Sequence, residues 1–131
     1  MLTSLNIKEP GLNVLPLGVE RYIVNGGGLT GVQILPEDEI EIINDEGNQV
    51  CEISVFNKDG KSELAILNLK ENKNSSEIKK ILSKKDESSL TAAYQLKKRN
   101  LDIDKSKSAI IFDKDTSPGE NIKLHAKDKC Y

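Results

Sequence analysis

Apolar and polar residues alternate along much of this chain, and the pattern predicts strands before it predicts helices. Glu39-Ile40-Glu41-Ile42 alternates strictly, as a half-buried strand does. Gln49–Phe56 repeats the pattern, with Cys51, Ile53 and Val55 set against Glu52 and Ser54. Asn44-Asp45-Glu46-Gly47 between them has turn chemistry. Asn57-Lys58-Asp59-Gly60 has the same chemistry ahead of a further strand at Ser62–Leu69. Three strands joined by two such turns predict a β-meander. Val19–Val24 and Leu29–Leu35 read as two earlier strands split by Gly26-Gly27-Gly28, and Ser108–Phe112 and Asn121–Ala126 as two later ones. Residues 1–18, punctuated by Pro10-Gly11, Pro16 and Gly18, read as an arm leading into one β-rich domain over 19–131.

The period changes at about residues 74–100, where a helical insert is expected. Asn74 followed by Glu77 resembles a capping box, and Ile78, Ile81 and Leu82 then follow at helical spacing. A second helix is expected from Ser88 or Ser89 to Asn100, burying Leu90, Ala93, Tyr94 and Leu101. The predicted fold is therefore mainly β, a small β-barrel or sandwich with two inserted helices; α+β is the alternative. One phrase occurs twice. Pro36-Glu37-Asp38-Glu39-Ile40-Glu41-Ile42 and Pro118-Gly119-Glu120-Asn121-Ile122-Lys123-Leu124 both read as a Pro-led turn. In each, an acidic side chain can bond turn amides before an alternating strand begins.

Composition narrows the class. A chain of 131 residues suits one domain, and with 4% aromatics and no Trp its core must be built from Ile, Leu and Val. No apolar run reaches membrane-spanning length, and the first residues carry no basic region followed by an apolar stretch. The two cysteines, Cys51 and Cys130, are then expected to be reduced thiols in a cytoplasmic protein. The net charge of −2 hides a division. Residues 1–60 hold three basic and ten acidic side chains, whereas residues 61–131 hold sixteen basic and eleven acidic. That split predicts a dipolar molecule.

Candidate chemistry is sparse. Gly26-Gly27-Gly28 leads into a strand rather than a helix, which favours a tight loop over a phosphate cradle. Cys51, His125 and Cys130 are residue types that zinc accepts, but no Cys-x-x-Cys or His-x-x-x-His spacing joins them. His125 shares strand parity with Lys123 and Lys127 and should face solvent, while Cys51 falls in the apolar register. No Gly-x-Ser-x-Gly elbow is present. The acidic cluster from Glu37 to Glu46 reads as a solvated face. The lysines at 79, 80, 84, 85, 97 and 98, with Arg99, form a basic run with Tyr94 as the one aromatic among them. That disfavours nucleic acid and leaves a polyanion-binding module as a secondary alternative.

Two stretches resemble a known family. Gly27-Gly28-Leu29-Thr30-Gly31-Val32-Gln33-Ile34 through Glu46-Gly47-Asn48-Gln49-Val50-Cys51-Glu52-Ile53 is similar to the urea carboxylase-associated family, and so is Pro118-Gly119-Glu120-Asn121-Ile122-Lys123-Leu124-His125-Ala126. Together they cover about a third of the chain. The resemblance implies one of two settings. One is a stand-alone subunit of urea or guanidine metabolism carrying out metal-dependent deimination, with Cys51, His125 or Cys130 as the metal ligands to consider here. The other is an N-terminal domain fused to a tetrahydrofolate-dependent aminomethyltransferase similar to the glycine cleavage T-protein. Residues 70–107 contain neither Cys nor His, unlike the corresponding segment of the stand-alone enzymes, which favours the second setting. The expected role is a non-catalytic module of an aminomethyltransferase-like one-carbon enzyme, with a longer parent chain and a downstream catalytic domain or subunit as partner. Such a module would bind a small amino-acid-derived ligand or position its partner. It would need no cofactor of its own, tetrahydrofolate belonging to the parent enzyme. Gly47, Asn48 and Gln49 are the candidate ligand-binding residues, because side-chain amides both donate and accept hydrogen bonds.

Overall fold

The computed structural model describes residues 18–72 and 77–131. Among the described residues are four strands and two α-helices: β1 (Glu39–Asn44), β2 (Cys51–Ser54), α1 (Glu77–Ser83), α2 (Glu87–Lys98), β3 (Ser108–Phe112) and β4 (Glu120–His125). A short 3-10 helix, Leu64–Leu67, follows β2. The strands form two antiparallel pairs, β1 with β4 and β2 with β3, so the fold is mixed α/β with small sheets. Among the described residues these pairs do not close into a barrel. No helix among them is long and apolar enough to cross a membrane.

The two echoing phrases meet. β1 and β4 follow the two Pro-led turns and pair with each other, from Glu39 opposite His125 to Asn44 opposite Glu120. In both turns the acidic side chain caps the amide three residues back: Asp38 Oδ2 accepts from Leu35 N at 3.0 Å, and Glu120 Oε2 from Ser117 N at 3.1 Å. The turn closes the same way in both, Asp38 N donating to Leu35 O and Glu120 N to Ser117 O. Glu37 and Gly119 occupy the same left-handed position, at φ 75° and 79°. A repeated local code therefore builds the central ladder. Ile42 and Leu124 point from it into the core, where Val55, Leu64, Ile66, Leu67, Ala109 and Phe112 meet them.

Several expectations need correction. Val19–Val24 and Leu29–Leu35 are not strands; only Ile34 forms a bridge, with Cys130. The meander is absent too. The turn after β1 does not fold the chain back on itself, because Asn48 N donates to Thr116 O at 2.7 Å and carries β2 away to pair with β3. The turn Asn57–Gly60 forms as expected, with Asn57 Oδ1 accepting from Asp59 N and Lys61 N, but its second arm is only a Phe56–Ser62 bridge. The predicted strand Ser62–Leu69 then coils into the 3-10 helix, which buries Leu64, Ile66 and Leu67 together. An extended strand would have put Leu67 and Leu64 on opposite faces.

The helical insert forms, with α1 carrying Ile78, Ile81 and Leu82 on its half-buried face. Asn74, expected to open it, lies outside the described residues. α2 starts at Asp86, whose side chain accepts from Ser89 N at 2.8 Å, a standard helix N-cap. Its buried face is only partly the one expected: Ala93 and Leu101 are half-buried as predicted, but the other two residues are not. Leu90 and Tyr94 are 55% and 62% exposed, whereas Ser89 is buried and Leu96 is half-buried. The helix rotates to the face on which Leu96 and Ala93 meet the fold.

Candidate functional site

The turn Asn44–Gln49 places the first set of predicted residues. Asn44 is buried and works in both directions: its Oδ1 accepts from Gly47 N at 3.0 Å and its Nδ2 donates to Gln49 O at 2.9 Å. Gly47 lies at φ 73°, with its α-carbon so close to Thr116 and Pro118 that a Cβ would come within 2.6 Å of Pro118 N. Asn48 takes a left-handed conformation, φ 53°, and its side chain points outward with that of Gln49. Gln49 Nε2 donates to Glu46 Oε2. The local chemistry thus locks the end of β1 to the start of β4.

Cys51, His125 and Cys130 occupy different surroundings. Cys51 is half-buried in β2 opposite Phe112, and Cys130 is buried where it bridges to Ile34. Burial raises both thiols above their ordinary range, so at neutral pH they are protonated. His125 is exposed on β4, with Nε2 3.7 Å from Glu39 Oε2. No group of three or more His, Cys, Asp or Glu among the described residues could hold a metal ion. Of the helical lysines, Lys79 Nζ donates to Asp104 O and Lys80 pairs with Glu77.

The concave feature with chemistry is an apolar cavity of about 190 Å³ between β2, the segment Val24–Ile34, the inner faces of both helices and the Cys130–Tyr131 end. Ile40, Ile42, Ile53, Val55, Leu96 and Leu124 supply much of its wall, with Thr30, Ser54 and Glu52 as polar members. Glu52 was not singled out by its sequence position, because alternation put it on the polar side of its strand. The β2–β3 register slips between Cys51 and Glu52. A bulge of this kind re-aims side chains, and both residues now line the cavity. Glu52 Oε2 accepts from Glu77 N at 2.8 Å at the start of α1. Its other oxygen, Oε1, is shielded from solvent and has no hydrogen-bond partner among the described residues. A buried carboxylate oxygen without a donor is costly, so this atom is the natural anchor for a cationic or hydrogen-bonding ligand. No local signal could have revealed this, since the slip and the covering helix are both tertiary. The cavity falls below the roughly 300–1,000 Å³ of pockets for drug-sized molecules, so it does not fit a folate.

Comparison with known proteins adds one similarity. No protein-family model and no solved structure matches the chain. Over 113 residues it is 28% identical to trimethylamine-oxide aldolase from Ruegeria pomeroyi, a match covering 86% of this chain and 14% of that enzyme.

Proposed function

We propose that this chain is a non-catalytic module of an aminomethyltransferase-like one-carbon enzyme, binding a small amine-derived ligand and positioning the domain that performs the chemistry. The observation that carries the reading is the similarity to trimethylamine-oxide aldolase, which extends through 86% of the chain rather than resting on one motif. Trimethylamine oxide has only methyl carbons, so an aldolase acting on it must release a one-carbon aldehyde. This accords with the one-carbon setting implied by the resemblance of Glu46-Gly47-Asn48-Gln49 and Pro118-Gly119-Glu120 to domains fused to aminomethyltransferases. Because the chain spans 14% of that relative, the chemistry and any tetrahydrofolate belong to the rest of such an enzyme. Residues 19–131 serve as one unit in this arrangement, in a reducing cytoplasm that suits two free thiols.

The ligand class follows from the cavity. Apolar walls accept methyl groups, and Glu52 Oε1 supplies one unpartnered acceptor for a protonated amine. Gly47, Asn48 and Gln49 lie outside the cavity lining and clasp the end of β1 to the start of β4. Calorimetric titration with trimethylamine, trimethylamine oxide and N-methylglycine tests the reading. A ligand of four to six non-hydrogen atoms gains at most about 1.5 kcal/mol from each, so millimolar or tighter affinity is expected for one of the three. Glu52→Gln should weaken it at least about tenfold, or about 1.4 kcal/mol. Failure of all three to bind, or binding indifferent to Glu52→Gln, would remove the ligand-binding role.

A further inference from the structure

The cavity against β2 carries charge at one point. Among the described residues that line it, Glu52 is the only Asp, Glu, Lys, Arg or His. Its two oxygens have different surroundings. Oε2 accepts from Glu77 N at 2.8 Å, whereas Oε1 is shielded from solvent with no hydrogen-bond partner among the described residues. Cys51 and Cys130 line the same cavity, and burial keeps both thiols protonated, so neither adds negative charge. Of the hydroxyls in the wall, Ser54 Oγ is joined to Ser108 Oγ at 2.6 Å, and Thr30 belongs to an exposed residue. Arg99 lies over the Tyr131 ring at 4.3 Å and is not part of the wall.

These groups set what a small ligand must carry and what it must lack. An orphaned carboxylate oxygen in apolar surroundings is best satisfied by a charged N–H, through a charge-assisted hydrogen bond. A second acceptor brought beside it, such as the oxygen of an N-oxide, meets no strong buried donor and repels the carboxylate. A carboxylate on the ligand is worse placed still, because a buried anion without a cation loses its hydration uncompensated. Aromatic rings cannot stand in for the N–H. Quaternary ammonium ions are held by cages of aromatic faces, and here Phe56 and Tyr131 are the only rings among the described lining residues, the second already stacked by Arg99.

We propose that the cavity selects secondary and tertiary methylammonium ions, which combine methyl groups, one positive charge and at least one N–H, over N-oxides, quaternary ammonium ions and amino acids. Glu52 determines the specificity. The N–H of the ion donates to Oε1 while Oε2 keeps its bond to Glu77 N, and the methyl groups face the apolar wall. A volume of about 190 Å³ suits ions this small. The inference deepens the ligand-binding reading of the same cavity and rests on it. That reading is met by any small amine-derived ligand, whereas this one fixes the ligand's charge and donor pattern.

The test titrates the full chain, at neutral pH and matched ionic strength, with trimethylammonium chloride, tetramethylammonium chloride, trimethylamine oxide and N,N-dimethylglycine. The Glu77 amide is followed by NMR, because its N–H bonds the carboxylate that receives the ligand. Trimethylammonium should bind at least tenfold tighter than each of the other three and should shift the Glu77 amide. In Glu52→Gln the side-chain oxygen can still accept from Glu77 N, so the start of α1 keeps its anchor, while the new amide N–H groups donate into the cavity. The order should then invert, with trimethylamine oxide binding tighter than trimethylammonium. A wild-type chain that takes the oxide, the quaternary ion or dimethylglycine as tightly as trimethylammonium overturns the inference while the ligand-binding reading stands. An order unchanged in a folded Glu52→Gln chain overturns it too, and if that variant does not fold the wild-type series decides alone. Binding of none of the four removes the ligand-binding reading itself and this inference with it, so the two failures are told apart.

Discussion

Gly47 occupies a place that no other residue can take. Its positive φ and its contact with Thr116 and Pro118 come from the same turn, so a side chain there meets backbone on both counts. Gly47→Ala should cost at least about 2 kcal/mol in urea unfolding, combining left-handed strain with overpacking. Asp86 offers a gentler residue-scale test. Its carboxyl lies below the usual value because the Ser89 backbone amide, and then its side chain, bond the ionised form. A lowered folded pKa means the cap contributes above the ordinary carboxylate range and is lost as pH falls through that lowered value. Amide protection at the start of α2 should therefore fall in acid below pH 3.8, and Asp86→Ala should abolish that step. Gly47 is legible in the sequence as a turn glycine; Asp86 is not legible as the cap, because the second helix is expected there from Ser88 or Ser89. Nor is Glu52 legible, because its importance comes from the register slip and from α1 lying over it.

The elements divide by whether local chemistry or a distant partner shapes them. The Pro-led turns, the Asn57–Gly60 turn and the cap of α2 form as their residues dictate, because each closes its own hydrogen bonds within a few positions. Ser62–Leu69 fails as a strand because its leucines gain more by facing one way into the core than by alternating. α2 shows the same competition. Its apolar residues are spread around the helix, and contact with the fold selected Leu96 over Leu90 and Tyr94. A paired measurement checks this assignment. Phe112→Ala, in the core at 5% exposure, should cost about 3–5 kcal/mol, while Tyr94→Ser should change stability by no more than about 0.5 kcal/mol.

At the scale of the molecule, both ladders join segments far apart in the chain, and the inner β2–β3 pair is nested within the outer β1–β4 pair. Neither ladder can persist without the shared core of Ile42, Val55, Phe112 and Leu124, so urea unfolding should be one transition. Circular dichroism and amide exchange in the two ladders should give the same midpoint, and separate midpoints would show that the pairs fold independently. The sequence by itself determined the strands Glu39–Asn44, Cys51–Ser54, Ser108–Phe112 and Glu120–His125, the two helices and the turns, all within a few residues, because alternation, capping and turn chemistry are local. It also determined that one phrase occurs twice. Only the tertiary structure decided that these two phrases pair, that β2 leaves β1 for β3, and that Leu29–Leu35 is not a strand. Strand pairing is a contest among distant partners, settled by which arrangement buries the most apolar surface while bonding the most backbone, and no local window contains both competitors.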